Sequence, residues 1–71
     1  MRYELRLHVD IVDPETGEKE DYQVDEEYYP TQAEAQAEAG RHYVGEVVGV
    51  YEDGAEGRIS MIEVDEIPDL T

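Results

Sequence analysis

The chain has 71 residues, of which 20 are Asp or Glu and five are Lys or Arg, so its formal net charge is −15. It has no cysteine, which excludes disulfides, thiolate metal sites and cysteine nucleophiles. It also has no apolar run of about 18 residues, the length that a membrane span needs, and no basic-then-apolar leader at its start. We therefore expect one small cytoplasmic domain over residues 1–71, with no membrane contact and with Pro68 closing its ordered part.

The first predicted element is a strand over residues 2–12, where polar and apolar side chains alternate from Arg2 to Ile11. This period of two is typical of a strand with one buried and one wet face. If the strand is central, Arg2 and Arg6 on the wet face would neutralise acids on its neighbours. The residues of the apolar face are Tyr3, Leu5, Leu7, Val9 and Ile11.

A turn at residues 13–17 and a return strand over about Lys19–Tyr28 come next. The turn contains a proline, which presets φ, and a glycine, which can take a positive φ, so an antiparallel hairpin is predicted. On the return strand Tyr22 and Val24 are expected to face inward. The alternation breaks over residues 25–29, which predicts a bulge there.

A helix is predicted from Thr31 to near Tyr43. Thr31 and Glu34 form a capping box, in which each side chain satisfies the backbone N–H of the other. The alanines that follow favour helix and let it lie close against a sheet, while Gly40 and Gly45 favour its end. The face toward the sheet is expected to contain Ala35, Ala39, His42 and Tyr43.

A second hairpin is predicted from residues 46–52 and 58–65, joined through the Asp53-Gly54 turn signal. The run of valines at positions 47, 48 and 50 is typical of a strand covered on both sides. Together these elements predict an α+β domain of order β-β-α-β-β, in which a four-stranded antiparallel sheet carries one helix on one face.

Several kinds of chemistry are excluded by what the sequence lacks. A catalytic acid pair needs a dry pocket, which so few apolar residues scarcely provide, so we expect no enzyme activity and no cofactor. Neither acidic loop matches the calcium pattern, and His8 and His42 each lack a spaced partner, so no dedicated metal site is expected, although weak cation binding stays open. Direct nucleic-acid binding would need many more basic residues to neutralise phosphates.

The acidic residues are the candidate functional groups, because they are concentrated in the two hairpins. Residues 10–27 carry a net charge of −8 and residues 46–71 a net charge of −7. Carboxylates at i and i+2 on one strand face lie about 6.6–6.8 Å apart, so a strand can present a regular row of negative charge. The candidate partner-binding residues are Asp13, Glu15, Glu18, Glu20, Asp21, Asp25, Glu26, Glu27, Glu52, Asp53 and Glu56, with the aromatic pair Tyr28 and Tyr29.

Residues 3–39 combine a strand, the turn VDPETGEK, a second strand and the helix start TQAEAQA. This stretch resembles the sheet-plus-helix arm-binding domains of phage integrases, in which a similar turn and an F-x-T-x-x-E-A helix start recur. Those domains are basic, so the electrostatics are reversed here. In size, charge and compact αβ form the chain is similar to small acidic inhibitors from phages and mobile elements. That anti-CRISPR-like resemblance implies a DNA mimic that blocks a basic, nucleic-acid-binding protein in the host cytoplasm.

Two hypotheses explain the acidity. In the first, the acidic hairpins bind a basic groove of a nucleic-acid-handling protein, and complementary charge speeds association. In the second, acidity maintains hydration in high salt, as in halophile-type proteins, and the chain is a generic protein-interaction module. The second hypothesis includes a homodimer that covers apolar positions such as Val12, Val47 and Ile67. The confinement of the charge to two hairpins favours the first.

Overall fold

Four antiparallel strands and one helix form most of residues 1–68, the part of the chain that the computed structural model describes. Residues 69–71, which follow the predicted end of the ordered part at Pro68, lie outside the described residues. The predicted α+β class with a four-stranded antiparallel sheet and one helix is confirmed. The elements are β1 (Arg2–Val12), β2 (Lys19–Tyr29), α1 (Gln32–Ala39), β3 (Val47–Val50) and β4 (Glu56–Ile67).

The strands lie in the spatial order β2-β1-β4-β3, so β1 and β4 are central while β2 and β3 form the two edges. The helix contacts β1, β4 and β2. It covers the side of the sheet that carries Leu5 and Leu7, which we call the helix face. The opposite side, which carries Glu4, Arg6 and His8 of β1, has no covering layer among residues 1–68, and we call it the open face.

The core on the helix face is thin. Leu5, Val9 and Ile59 of the central strands are almost completely buried, together with Ala35 of the helix and Ala55 of the second turn. No other hydrophobic side chain within residues 1–68 reaches that degree of burial. The stability of the domain therefore depends on a few side chains and on how its surface charge is arranged. No helix in this part of the chain is long and apolar enough to cross a membrane.

The first hairpin forms as predicted, with Gly17 at φ 75° in the turn. The expectation that Tyr22 and Val24 face inward is wrong. Tyr22 pairs with Asp10 and Val24 with His8, so both lie on the open face, and Tyr22 is 44% exposed.

The reason is a bulge at the start of β2. The register runs from Val12↔Lys19 directly to Ile11↔Asp21, so Glu20 has no partner. One extra residue moves every later side chain of a strand to the other face. Asp21 and Asp25, which alternate with Tyr22 and Val24, therefore lie on the helix face. The predicted bulge at residues 25–29 is absent, because pairing there is continuous.

The helix is shorter than predicted. Thr31 caps it as expected, since its hydroxyl accepts a hydrogen bond from the Glu34 N–H at 3.2 Å. It ends at Ala39, and Gly40 closes it by donating to the Gln36 carbonyl. Beyond that point the chain turns, and the Gly45 N–H bonds to the Ile59 carbonyl on β4.

The second hairpin contains a short edge strand instead of a covered one. Gly54 takes φ 88° at the predicted turn, and β3 pairs with β4 alone. Val47, Val48 and Val50 are all exposed, which contradicts the expectation that these valines are covered on both sides. A four-residue edge strand has too few neighbours to bury them.

Gly57 provides a test of packing on the helix face. A Cβ at this buried position would lie 3.2 Å from Val9 Cγ1 and close to Tyr51 and Val48, and Val9 is fully buried. We expect Gly57→Val to lower the free energy of unfolding by about 1–3 kcal/mol through overpacking. Its partner Gly49 has open space around a Cβ among the described residues, so Gly49→Val should change stability little. Urea unfolding would measure both, and equal losses would contradict this packing.

Candidate functional site

Two grooves lie on the helix face, and acidic side chains line both. The first, the helix groove, has a volume of about 600 Å³ and lies between α1 and β2. The second, the turn groove, has a volume of about 520 Å³ and lies between β2 and the turn of the second hairpin. We call the two together the acidic trough. Its acidic lining residues are Asp25, Glu27 and Glu38 in the helix groove and Glu20, Asp21, Glu52 and Asp53 in the turn groove. Glu26 also borders the helix groove, although its side chain lies on the open face opposite Arg6.

The floor of the trough is apolar, and one hydrogen bond crosses it. Leu5 and Leu7 line the helix groove, and Ile11 lines the turn groove. Between them Gln23, which lies opposite Val9, donates from Nε2 to the Tyr51 hydroxyl at 3.3 Å. This contact joins β2 to the second hairpin and divides the two grooves.

One wall of the trough is the edge strand β2. Asp21, Asp25 and Glu27 pair with Ile11, Leu7 and Leu5 respectively, so all three lie on the helix face. Asp25 and Glu27, at i and i+2 on this face, are about 6.6–6.8 Å apart, whereas the uncharged Gln23 lies between Asp21 and Asp25. All three acidic side chains are exposed, and together they form an interrupted row of carboxylates on the face toward the helix.

The helix and the turn that follows it supply residues to the trough that sequence reasoning missed. Glu38 and His42 line the helix groove, and His42 Nε2 lies 3.7 Å from Glu38 Oε1. On the other side of the ring, His42 Nδ1 lies 3.2 Å from Glu46 Oε1. The spacing of four between Glu38, His42 and Glu46 was visible in the sequence and could have identified this group.

The open face is electrostatically different, because its acids are paired with bases. The Arg6 guanidinium contacts Glu63 and Asp65 of β4, and its Nε lies 3.2 Å from Glu4 Oε1. Burial lowers the pKa of Arg6, but the charges of Glu63, Asp65 and Glu4 raise it overall. Arg6 thus forms ion pairs with three carboxylates and offsets part of their negative charge, as expected for a central first strand.

The same cluster extends along β1 through His8. Its Nε2 lies 2.5 Å from Glu63 Oε1. Because a carboxylate can only accept, Nε2 carries the proton and, in the neutral ring, Nδ1 accepts from the Tyr22 hydroxyl. Tyr22 therefore makes a polar contact on the open face instead of packing inward as predicted.

The other strand cations also lie on the open face. Lys19 Nζ lies 3.2 Å from Asp10 Oδ1 and 4.7 Å from the centre of the Tyr22 ring. Arg58 bonds Glu56 at 2.9 Å. Arg2 lies over Tyr28, with 4.5 Å from its guanidinium carbon to the ring centre.

The charge of the molecule is consequently divided between its two faces. Four of the five Lys and Arg side chains make their contacts on the open face. The fifth, Arg41, lies 3.7 Å from Glu38 and is 78% exposed. Within residues 1–68 no other Lys or Arg forms an ion pair with an acid of the trough. The trough therefore keeps a strong negative potential with an apolar floor.

Four of the predicted acids lie outside the trough. The Asp13 carboxylate accepts from the Glu15 N–H at 2.8 Å and so helps to form the first turn. Glu15 and Glu18 are exposed in that turn. Glu56 is neutralised by Arg58.

Tyr28 and Tyr29 do not form an aromatic pair, because neighbouring strand residues point to opposite faces. Tyr28 lies on the open face, is 49% exposed and donates to Glu26 Oε2 at 3.3 Å. The carboxylate of Glu4, followed by that of Glu26, raises its pKa. Tyr29 lies opposite Tyr3 and donates to Glu27 Oε2 at 2.5 Å.

The hydrogen bond to Glu27, with burial and the charges of Glu27 and Glu38, raises the pKa of Tyr29 from 10.0 to about 12. Because the folded pKa lies above the unfolded one, this bond stabilises the fold below pH 10 and is lost as the pH rises through about 12. We expect Tyr29 to be the last of the six tyrosines to ionise in an ultraviolet absorbance titration. Tyr29→Phe should remove that step, and ionisation of all six near their ordinary pKa would contradict the assignment.

Within residues 1–68 the structure brings together no three His, Asp or Glu side chains in a geometry that could hold a metal ion. Comparison of the chain with protein-family models, curated proteins and solved structures gives no match.

Proposed function

We propose that this is a non-enzymatic acidic protein that binds a basic surface of a nucleic-acid-handling protein and acts there as a nucleic-acid mimic or inhibitor of the phage anti-defence type. The observation that carries the proposal is the division of charge between the faces. Arg6, Lys19 and Arg58 neutralise acids of the open face, while the acids of the trough have almost no basic partner. A surface evolved only for hydration would not need that segregation.

The trough also has the physical properties of a docking surface. Rows of exposed carboxylates attract Lys and Arg, speed association and release salt from both surfaces. The half-buried Leu7 and Ile11 of the apolar floor offer contact area to the aliphatic stems of those side chains. Together they favour a partner whose cations protrude from its surface.

Capture from a bacterial lysate at low ionic strength tests this proposal. The bait is the tagged protein, compared with a trough variant carrying Asp21→Asn, Asp25→Asn and Glu27→Gln. The matched control carries Glu15→Gln, Glu18→Gln and Glu66→Gln, which remove the same charge from exposed positions that line neither groove.

The wild type and the control variant should capture the same nucleic-acid-binding protein, and excess duplex DNA should release it. The trough variant should not capture it. Recovery of abundant basic proteins in equal amounts by both variants would contradict the proposal and favour acidity as a salt adaptation.

The second candidate, a dimeric interaction module, is favoured by a separate observation at the β3 edge. Val44, Val47 and Val50 are exposed there, Val50 to 70%, and residues 47–51 contain no charged side chain. An uncharged apolar edge on so acidic a chain is a natural surface for a second copy. Val12 and Ile67 are the other positions considered for a dimer. They lie on the central strands at opposite ends of the β1–β4 pair, opposite Glu56 and Arg2 respectively, so they are not part of the β3 edge.

We expect Val50→Lys to shift the protein toward monomer in sedimentation measurements. The substitution lowers the net negative charge, so dissociation could not be attributed to stronger repulsion between copies. Val50→Thr, which keeps a β-branched uncharged side chain, is the control. A wild type that is monomeric at all concentrations would exclude this dimer.

A further inference from the structure

The outer edge of β2 is unpaired, and its backbone is available to another strand. β2 ends the sheet on this side and has 11 residues, a long strand by the usual range of about 3–10. From residue 21 to residue 29 its pairing with β1 is continuous. A long, continuously paired edge of this kind is a template for strand addition unless the protein protects it.

The hydrogen bonds indicate which backbone groups face outward. The Tyr22 N–H donates to the Asp21 carboxylate at 2.8 Å instead of to β1. Since backbone groups alternate between the two sides of an antiparallel strand, the N–H and C=O groups of Val24, Glu26 and Tyr28 also face outward. Among residues 1–68 no turn, loop or side chain accepts a hydrogen bond from the N–H groups of these three. Asp21 thus blocks one end of the edge and leaves the next three outward positions free.

Charge decides what can pair with this edge. Asp25 and Glu27 flank it on the helix face, and the Glu26 side chain, on the opposite face, is exposed. A second copy of β2 would place like charges opposite one another, which is destabilising. A strand carrying Lys or Arg would place opposite charges there and would relieve the repulsion.

We propose that β2 receives an extended basic segment of the partner by strand addition along Val24–Tyr28. The inference rests on the proposed function and specifies how the basic partner is recognised. The segment would carry Lys or Arg at every second position, beside Asp25 and Glu27. Its alternate side chains would lie beside Val24, Glu26 and Tyr28 on the open face. Backbone hydrogen bonds supply affinity in this mode and the flanking side chains supply specificity, and basic arms that bind nucleic acid are segments of this kind.

The probe for this inference is a synthetic eight-residue peptide in which lysine alternates with threonine. Its affinity is measured by titration calorimetry, beside that of the same peptide with backbone N-methyl groups on alternate residues. N-methylation keeps every charge but removes the amide donors. We expect the unmodified peptide to bind the wild type and the methylated peptide to bind at least about tenfold more weakly, because strand addition depends on those amides.

A variant of the protein tests the same point from the other side. Val24→Pro removes one outward N–H. It removes no bond to β1, because the Val24 N–H faces away from β1, and proline is tolerated at such edge positions. We expect the affinity for the peptide to fall about tenfold, whereas Val24→Thr, which keeps the N–H, should leave the affinity unchanged. Urea unfolding checks that both variants fold, and if the proline variant does not, the methylated peptide still decides the question.

The outcomes separate this inference from the proposed function. Equal binding of both peptides, or no binding of the unmodified peptide, would overturn strand addition, while DNA-sensitive capture from the lysate would still support the proposed function. If the peptide bound the trough variant as tightly as the wild type, the electrostatic basis of both the proposed function and strand addition would be contradicted.

Discussion

Replacing Asp21, Asp25 and Glu27 by their uncharged amides is expected to stabilise the fold while abolishing capture of the basic partner. The amide oxygens can still accept the hydrogen bonds that Asp21 receives from the Tyr22 N–H and Glu27 receives from the Tyr29 hydroxyl. These three acids form one row on β2, and no base among residues 1–68 pairs with them. Their repulsion is strongest at about 0.01 M salt, where the Debye length is about 30 Å. At this salt concentration we expect the melting temperature of the trough variant to be about 5 °C higher than that of the wild type, because a gain of about 1 kcal/mol has an effect of this size in a small domain.

Salt should remove the difference. At about 1 M salt the Debye length is about 3 Å, so the wild type should melt at a higher temperature and the trough variant should lose its advantage. The control variant, with Glu15, Glu18 and Glu66 neutralised, should gain less stability and keep its binding. A trough variant that is stabilised and still binds the partner would show that these acids serve hydration alone, whereas opposite effects on stability and binding are typical of a functional site.

Replacing Arg6 by glutamine is expected to have the opposite effect on stability. Arg6 contacts Glu4, Glu63 and Asp65 at the centre of the open face, and glutamine would leave these carboxylates facing one another without a cation. Removing one partner of a charge cluster is costly, because the remaining charges keep their desolvation and repulsion. We expect a fall of several degrees in the melting temperature, part of which is recovered in high salt.

Arg41→Gln is the matched control for Arg6→Gln. It changes the net charge equally, but Arg41 is 78% exposed, and its one ion pair among residues 1–68 is with Glu38, at 3.7 Å. Exposed pairs of this kind contribute little, so Arg41→Gln should leave the melting temperature almost unchanged. Equal destabilisation by the two variants would mean that only net charge matters, and would remove the distinction between the faces.

Local patterns were sufficient to predict the elements of this fold. The alternation in residues 2–12 identified β1, the glycines at positions 17 and 54 marked both turns, and Thr31 marked the start of the helix. Each of these features depends on residues close together in the sequence. The end of the helix was predicted less well, because Gly40 and Gly45 both act as stop signals and tertiary contacts decide between them.

The two faces of β2 could not be predicted in the same way. Their assignment depends on Glu20, a single residue without a partner on β1. It moves every later side chain of β2 to the other face of the sheet and leaves the alternation after it unchanged. The pairing of β1 with β4 is also a long-range outcome, since Arg6 and Asp65 are 59 residues apart. For the same reason the sequence identified most acids of the trough but not their grouping, and only the spacing of four between Glu38 and His42 indicated that these two side chains lie together.

The claim that the trough takes the place of nucleic acid is tested most directly by displacement. Fluorescence anisotropy of a labelled duplex bound to the captured partner would be followed as this protein is added. The account predicts that the wild type and the control variant release the duplex, and that the trough variant does not. Formation of a ternary complex, in which the partner holds the duplex and this protein together, would contradict it.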